Sequence, residues 1–463
     1  MKSAILHRSL TKDYPTAIGG DGVYLITDKG QRILDGSSGA AVSSVGHSNK
    51  EVIEAIVDQT RSLCFAHTSF FTSEAAEELA ALIIGQSGGG TFSKIMYTSS
   101  GSEAIEAALK IARQYHVFNG DLKRINIIGR FHSYHGNTMG AMAAGNNPPR
   151  REAFEPMFSP VFHHVSRCFH DKDNNGLGEK EYEDLLIAEF EAKIQSLGAE
   201  TVAAVIVEPV VGATLGAVAA TSTYLPRLKA LCEKNGILAI WDEVMCGMGR
   251  SGSYHAWQSL GGVGPDLQTI GKGLGAGYQP LSAILLNEKV AGMFEKHATA
   301  SKKFINGQTF QGHPVACAGA LAVQKIIKRE KLLVNVLARG EQLDASLKAG
   351  LPSSFFECSG SLRGMGLFRA VDFGNLGAAI GGQLAQEVAD ESFKQGAAVY
   401  TCSSAVDAVL FAPPFIINEQ EVEILAATFL KALANVLERR GKAAGIPNGS
   451  TINGSRPAVE VSH

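Results

Sequence analysis

The chain has 463 residues, enough for two or three domains at about 150 residues each. Lys plus Arg number 42 and Asp plus Glu 45, a net charge of −3, and that near-balance argues against a dedicated nucleic-acid or anionic-membrane binder. With 45% hydrophobic and 19% charged residues the chain can bury a large core, which excludes a disordered protein.

In chain order, residues 22–36 read as two short strands around a turn at Asp28-Lys29-Gly30. Helices are expected over 49–63 and 73–85, the second capped by Ser73 and stopped by Gly85. Residues 94–98 (KIMYT) form a short apolar run that leads through Ser99-Ser100-Gly101-Ser102 into a helix over 103–117. Further runs follow at 125–128, at 202–207 before Glu208, and at 237–241 before Asp242. A helix over 222–235, capped by Ser222 or Thr223, separates the last two. Residues 267–270 run into Gly271-Lys272-Gly273, and 281–286 closes this series. Beyond about residue 310 the texture changes: helices are expected over 313–329, 383–396 and 419–440, with a strand-like stretch at 362–373.

Short β-rich runs alternating with helices predict an α/β fold, a large domain with a mostly parallel sheet and a smaller C-terminal α/β domain. Ligands of such sheets bind at the carboxyl ends of the strands. Ser100, Glu208, Asp242 and Lys272 all fall there.

Each of these residues has an ordinary reading: a helix cap, a strand-end acid, a loop lysine. Together they suggest more. A helix start at Ser100-Gly101-Ser102 is a natural phosphate seat. Tyr134, in Tyr134-His135-Gly136 after a strand, can stack on a flat heteroaromatic ring. Asp242 needs a cationic or hydrogen-bonding partner, which a protonated pyridine nitrogen supplies. A confined Lys272 can lose its proton and attack an aldehyde. These four needs match pyridoxal 5'-phosphate.

At these residues the chain resembles the class III pyridoxal-phosphate aminotransferases, the ω-amino acid and amine transaminases of fold type I. The resemblance runs from about Gly20 to about Asn418. It is carried by YTSSGSEAIEAALKIAR, YHGNT, VIVEPVVGA, WDEVMCGMGRSG, PDLQTIGKGLGAGYQPLSAIL, TFQGHPVACAGALAV and FAPPF. It implies that Lys272 carries the cofactor's aldehyde and that Asp242 faces the pyridine nitrogen. Ser100, Gly101 and Ser102 resemble the phosphate loop, Tyr134 with His135 the stacking segment, and Val244 the residue on the ring's other face. Glu208 resembles the acid near the cofactor. Thr309 resembles a residue that reaches the neighbouring subunit's phosphate, so a homodimer with shared active sites is implied, with Phe70 and Phe71 lining the partner's substrate pocket. On this pattern residues 1–55 pack with the small domain, 56–305 bind the cofactor, 306–440 form the small domain and 441–463 are a tail.

The chain also departs from relatives that use 2-oxoglutarate. Those carry Arg just before the FAPP-type segment and Glu five residues after the Glu of VEP; here the positions hold Leu410 and Ala213. A carboxylate clamp needs a guanidinium, so pyruvate or another small oxo acid is the expected acceptor and an amine or ω-amino compound the expected donor, unless Arg363 takes the role. Leu410 then counts as a substrate-pocket residue. An aminomutase, racemase or decarboxylase would use the same Lys and Asp, and a non-catalytic cofactor-binding scaffold is a further alternative. Seven scattered cysteines without a CxxC point to a reducing, cytoplasmic setting with no disulfide framework and no metal site. No run reaches the ~18 apolar residues of a membrane span, and no secretory signal is expected at MKSAILHRSL.

Overall fold

A computed structural model of the chain describes residues 3–299 and 303–443. A seven-stranded sheet forms its centre. We number its strands in chain order: β1 (Lys94–Thr98), β2 (Asn126–Arg130), β3 (Phe162–Val165), β4 (Val202–Val207), β5 (Leu238–Asp242), β6 (Leu267–Ile270) and β7 (Ser282–Leu286). Their spatial order is β1-β7-β6-β5-β4-β2-β3. Only β7 runs against its neighbours β6 and β1; the other pairings are parallel.

The strands β4, β5, β6 and β7 are buried at every position because both faces are covered. In β5, Ala239 and Trp241 enter one buried cluster while Leu238 and Ile240 enter another. The helix Gly101–Phe118 closes the second face with Ala104, Ile105, Ala108, Ile111 and Ala112, the spacing seen in the sequence. The first face is closed in part by Glu179–Leu197 and Tyr224–Lys234. With β1, β2, β4, β5 and β6 parallel, their carboxyl ends share one edge of the sheet, and the loops that leave them meet there.

The C-terminal part holds a four-stranded antiparallel sheet, Ser361–Met365, Phe368–Asp372, Ala408–Phe411 and Tyr400–Thr401, flanked by Leu332–Gly350, Ala385–Lys394 and Glu419–Ala443. The N-terminal strands Ala17–Asp21, Tyr24–Thr27 and Arg32–Asp35 form a meander, and Ala397 and Ala398 add to it in parallel beside Leu34 and Asp35. Val23, Leu34, Val45 and Val52 share a core with Phe411, Leu425 and Phe429.

Several expected boundaries move. Gly85 lies inside the helix Glu74–Ser87, which ends at Gly88, where φ is +75° and a left-handed turn suits glycine. Thr223 precedes the helix Tyr224–Lys234, yet its hydroxyl bonds Glu183 instead of capping. The stretch 362–373 is a hairpin turning at Gly366, not one strand. Of the expected tail 441–463, residues 441–443 continue the final helix, and the remainder lies outside the described residues.

Candidate active site

A cavity of about 250 Å³ sits at the carboxyl edge of the sheet. Gly101, Ser102, Tyr134, His135, Glu208, Asp242, Val244 and Lys272 all line it. The lysine and the aspartate on which the sequence reading depends thus face one space.

Asp242 ends β5 and is 5% exposed. Three donors hold it: Thr269 Oγ1 and the Val244 N–H reach Oδ1 at 2.9 and 3.1 Å, and His135 Nδ1 reaches Oδ2 at 2.8 Å. His135 Nε2 is buried and has no partner among the described residues. This bonding keeps a buried carboxylate oriented and leaves acceptor capacity on Oδ2 for a further N–H donor.

Lys272 follows β6 through Gly271. Its own φ is +41°, in the left-handed region that is costly for a side chain, whereas Gly271 is extended at −171°. The glycine is needed for space instead: a Cβ there would come within 2.5 Å of Ser282 Oγ. Burial pushes the Lys272 amine below its ordinary range, against Asp242 and Glu208, whose charges favour the protonated form. Its Nζ makes no hydrogen bond or ion pair with any described residue. An uncommitted amine with a lowered pKa is a competent nucleophile and proton carrier.

Glu208 follows β4. Its oxygens accept from the Tyr134 N–H at 3.0 Å and the Gly212 N–H at 3.4 Å. Burial raises its carboxyl above the ordinary range; His135 opposes that shift and Asp242 adds to it.

The helix Gly101–Phe118 starts at the cavity. Ser100 caps it, accepting from the Glu103 N–H, and Glu103 reaches back to the Ser99 N–H at 2.8 Å. Ser100 is thus spent on the cap and stays off the cavity lining. Ser102 Oγ accepts from the Asn137 N–H at 2.9 Å. A Cβ on Gly101 would stand 2.7 Å from Val244 Cγ1, so only glycine lets the helix start approach that wall. An open helix N-terminus, a cavity lined by Tyr134 and Val244, a buried carboxylate and an amine with no partner among the described residues fit a phosphorylated pyridine aldehyde.

These features agree with the comparison to known proteins. The model of the class III aminotransferases matches residues 14–433. The chain belongs to the class III aminotransferases. It is 36% identical over 450 residues to an uncharacterized aminotransferase of Schizosaccharomyces pombe, covering 94% of this chain and 96% of that protein. It superposes with a TM-score of 0.86 on the omega transaminase from Pseudomonas jessenii in complex with PMP, at 31% identity, covering 92% of this chain and 94% of that one. An amine transaminase from an uncultivated Pseudomonas species in its PLP-bound form gives 0.85 at 29% identity, covering 95% and 100%. Class III aminotransferases use pyridoxal 5'-phosphate, and this chain has the corresponding fold.

Other residues lie elsewhere in this aminotransferase. Thr309 is in an exposed turn. Phe70 and Phe71 are exposed, and Phe71 lines a separate cavity of about 160 Å³ with Tyr97, Gln311 and Gly312. Leu410 is fully buried in the core and does not line the 250 Å³ cavity, whereas Ala213 does. Arg363 is committed to the Leu215 and Gly216 carbonyls, Ser361 and Asp372. The cavity also holds residues the sequence reading passed over: Arg8, Ala40, Gly136, Arg150, Met245 and Tyr400. Among the described residues no helix is long and apolar enough to cross a membrane.

Proposed function

We propose that this enzyme moves an amino group from an amine or ω-amino compound to a small 2-oxo acid, pyruvate being favoured, with donor and acceptor using one site in turn. The observation that carries this reading is that Lys272 and Asp242 line a single cavity and that the lysine amine has no hydrogen-bond or ion-pair partner among the described residues. When bound, pyridoxal phosphate supplies an electron sink for the carbon that exchanges nitrogen.

The protein's own groups have distinct tasks in this reading. Lys272 would hold the cofactor through Nζ, and its free amine would carry the proton from the substrate's amine-bearing carbon. Asp242 keeps a proton on the pyridine nitrogen, and His135, Thr269 and the Val244 N–H hold Asp242 in place. Gly101 and Ser102 seat the phosphate at the helix start. Tyr134 and Val244, which both line the cavity, would hold the ring. Glu208, at the cavity wall, completes the cofactor's surroundings. Thr309, with Phe70 and Phe71, acts across a homodimer contact.

The acceptor preference rests on what stands where an arginine clamp would be. Leu410 is an apolar core residue, Ala213 has no carboxylate, and Arg363 is already bonded to four groups. Steady-state kinetics should give parallel double-reciprocal lines, with kcat/KM higher for pyruvate than for 2-oxoglutarate. Lys272→Ala should release its cofactor on dialysis and lose about 10²–10⁴-fold or more in turnover. A Lys272→Ala protein that retains cofactor and turns over normally would sink the assignment, and a clear preference for 2-oxoglutarate would remove pyruvate from it. Product analysis without an oxo acid separates transamination from racemisation, mutase or decarboxylase chemistry.

A further inference from the structure

Two guanidinium groups line the active-site cavity. Arg8 comes from the N-terminal stretch, which Lys12 ties to Asp390 at 2.7 Å. Arg150 follows Asn147 and lies over the Tyr134 ring, 5.1 Å from its centroid. Neither forms an ion pair with any described carboxylate. Both line the 250 Å³ cavity, and both also line a second one of about 340 Å³. Ala213 and Tyr400 are shared between the two cavities as well, so the spaces adjoin across a wall of these four residues. Burial raises the Tyr400 phenol, and both arginines pull it back, as charges facing that ring would.

The second cavity has polar capacity to spare. Thr401, Ser403 and Ser404, whose hydroxyls can donate, also line it beside the two arginines. A planar carboxylate meets the forked donors of arginine well, and two arginines favour it further.

We propose that Arg8 and Arg150 form a carboxylate subsite in the outer cavity, which holds the acid group of a substrate while its nitrogen-exchanging carbon lies in the inner one. This rests on the aminotransferase reading and gives it a substrate class: amino or oxo compounds bearing a carboxylate, ahead of simple amines. Neither arginine stands at position 410, where the buried Leu410 pairs with the wall residue Tyr400. The carboxylate can be the distal one of an amino donor or that of the oxo acid, and the two half-reactions separate these sources.

The test uses holoenzyme and matched pairs: 4-aminobutyrate against butylamine in the donor half-reaction, and pyruvate against acetone in the acceptor half-reaction. The cofactor spectrum is the readout. The expected result is that Arg8→Gln/Arg150→Gln lowers the charged-to-neutral kcat/KM ratio by about tenfold or more in at least one arm, as loss of charge-assisted hydrogen bonds does. The collapsing arm identifies the source. Arg150→Lys should recover part of the ratio, since it keeps the charge. Butyrate binding, followed by calorimetry, should weaken in parallel. Ratios that stay within about twofold in both arms, with unchanged butyrate affinity, overturn the subsite. If the wild type transfers nitrogen from no donor, the functional reading fails, and butyrate affinity alone then decides the subsite: weakening in the double variant supports it and constancy overturns it.

Discussion

Thr269 shows how one side chain outside the cavity lining supports the chemistry. It lies on β6, beside β5, and its hydroxyl gives Asp242 Oδ1 one of its two donors. Valine has nearly the same shape and no donor. Thr269→Val should therefore leave the fold intact but cost about 1–3 kcal/mol, the usual penalty for stripping a partner from a buried charged acceptor. The loss should appear in urea unfolding of the apoprotein. It should also weaken cofactor affinity, because the carboxylate loses part of its fixed orientation toward the pyridine nitrogen. A cofactor titration that matches wild type would mean that His135 and the Val244 N–H orient Asp242 without help. Lys272 and Asp242 could be singled out beforehand because each sits at the end of an apolar run, where a strand must stop. Thr269 could not, because a β-branched residue inside such a run is unremarkable and only strand pairing turns it toward the acid.

At the scale of elements, pairing between distant segments explains what the sequence concealed. The strands β4 and β7 could be read nearly residue for residue, since a double-sided core favours apolar runs. The helices Glu179–Leu197 and Leu332–Gly350 give a weaker pattern, because apolar and polar residues are less cleanly segregated onto two faces. Arg8, Arg150 and Tyr400 reach the site from segments far apart in the chain, so no local spacing signals them. Pairing also builds a buried polar chain. His255 Nε2 meets Ser87 Oγ, Gln268 Nε2 donates to His255 Nδ1, and Gln268 Oε1 accepts from Trp257, each at 2.8 Å. That pattern requires a neutral imidazole, and burial pushes His255 down to about 3 and His116, elsewhere in the core, down to about 4. Unfolded histidine takes a proton near 6.5. Both groups thus contribute stability that is complete above about pH 6.5 and is lost as the pH falls toward their folded values, roughly 2–3 kcal/mol each by pH 4.5. Glu243 acts oppositely: burial raises it to about 8, so its share is complete below the ordinary glutamate range and fades as the pH rises through 8. The unfolding free energies from urea titrations at pH 7 and pH 4.5 should converge by about 2–3 kcal/mol in His255→Gln relative to wild type. An unchanged difference would show that the imidazole is charged in the fold.

The whole molecule carries an apolar surface that a lone chain has no use for. Phe65, Phe70, Phe71, Ile305 and Phe310 are all exposed, Phe70 by 80% and Ile305 by 83%. They come from two segments that fold together, with the Phe65 and Phe310 rings 6.0 Å apart. Single exposed apolar residues are ordinary, but a contiguous aromatic group of this kind marks an association surface. Thr309 directly precedes Phe310 in the same exposed turn, so a second copy docked here would meet its hydroxyl close by. That is the arrangement the proposed shared sites require. Sedimentation should therefore give twice the chain mass at micromolar concentration. Phe71→Asp/Phe310→Asp should shift the protein toward monomer, since a buried unpaired charge on each copy costs several kcal/mol. The core side chains that build the Lys272 cavity are untouched by these changes, so the monomer should keep its secondary structure. Cofactor affinity and turnover should nevertheless fall together with the dimer fraction and recover as concentration restores it. A monomer with full cofactor affinity would show that each chain completes its own phosphate seat and that Thr309 serves only the contact.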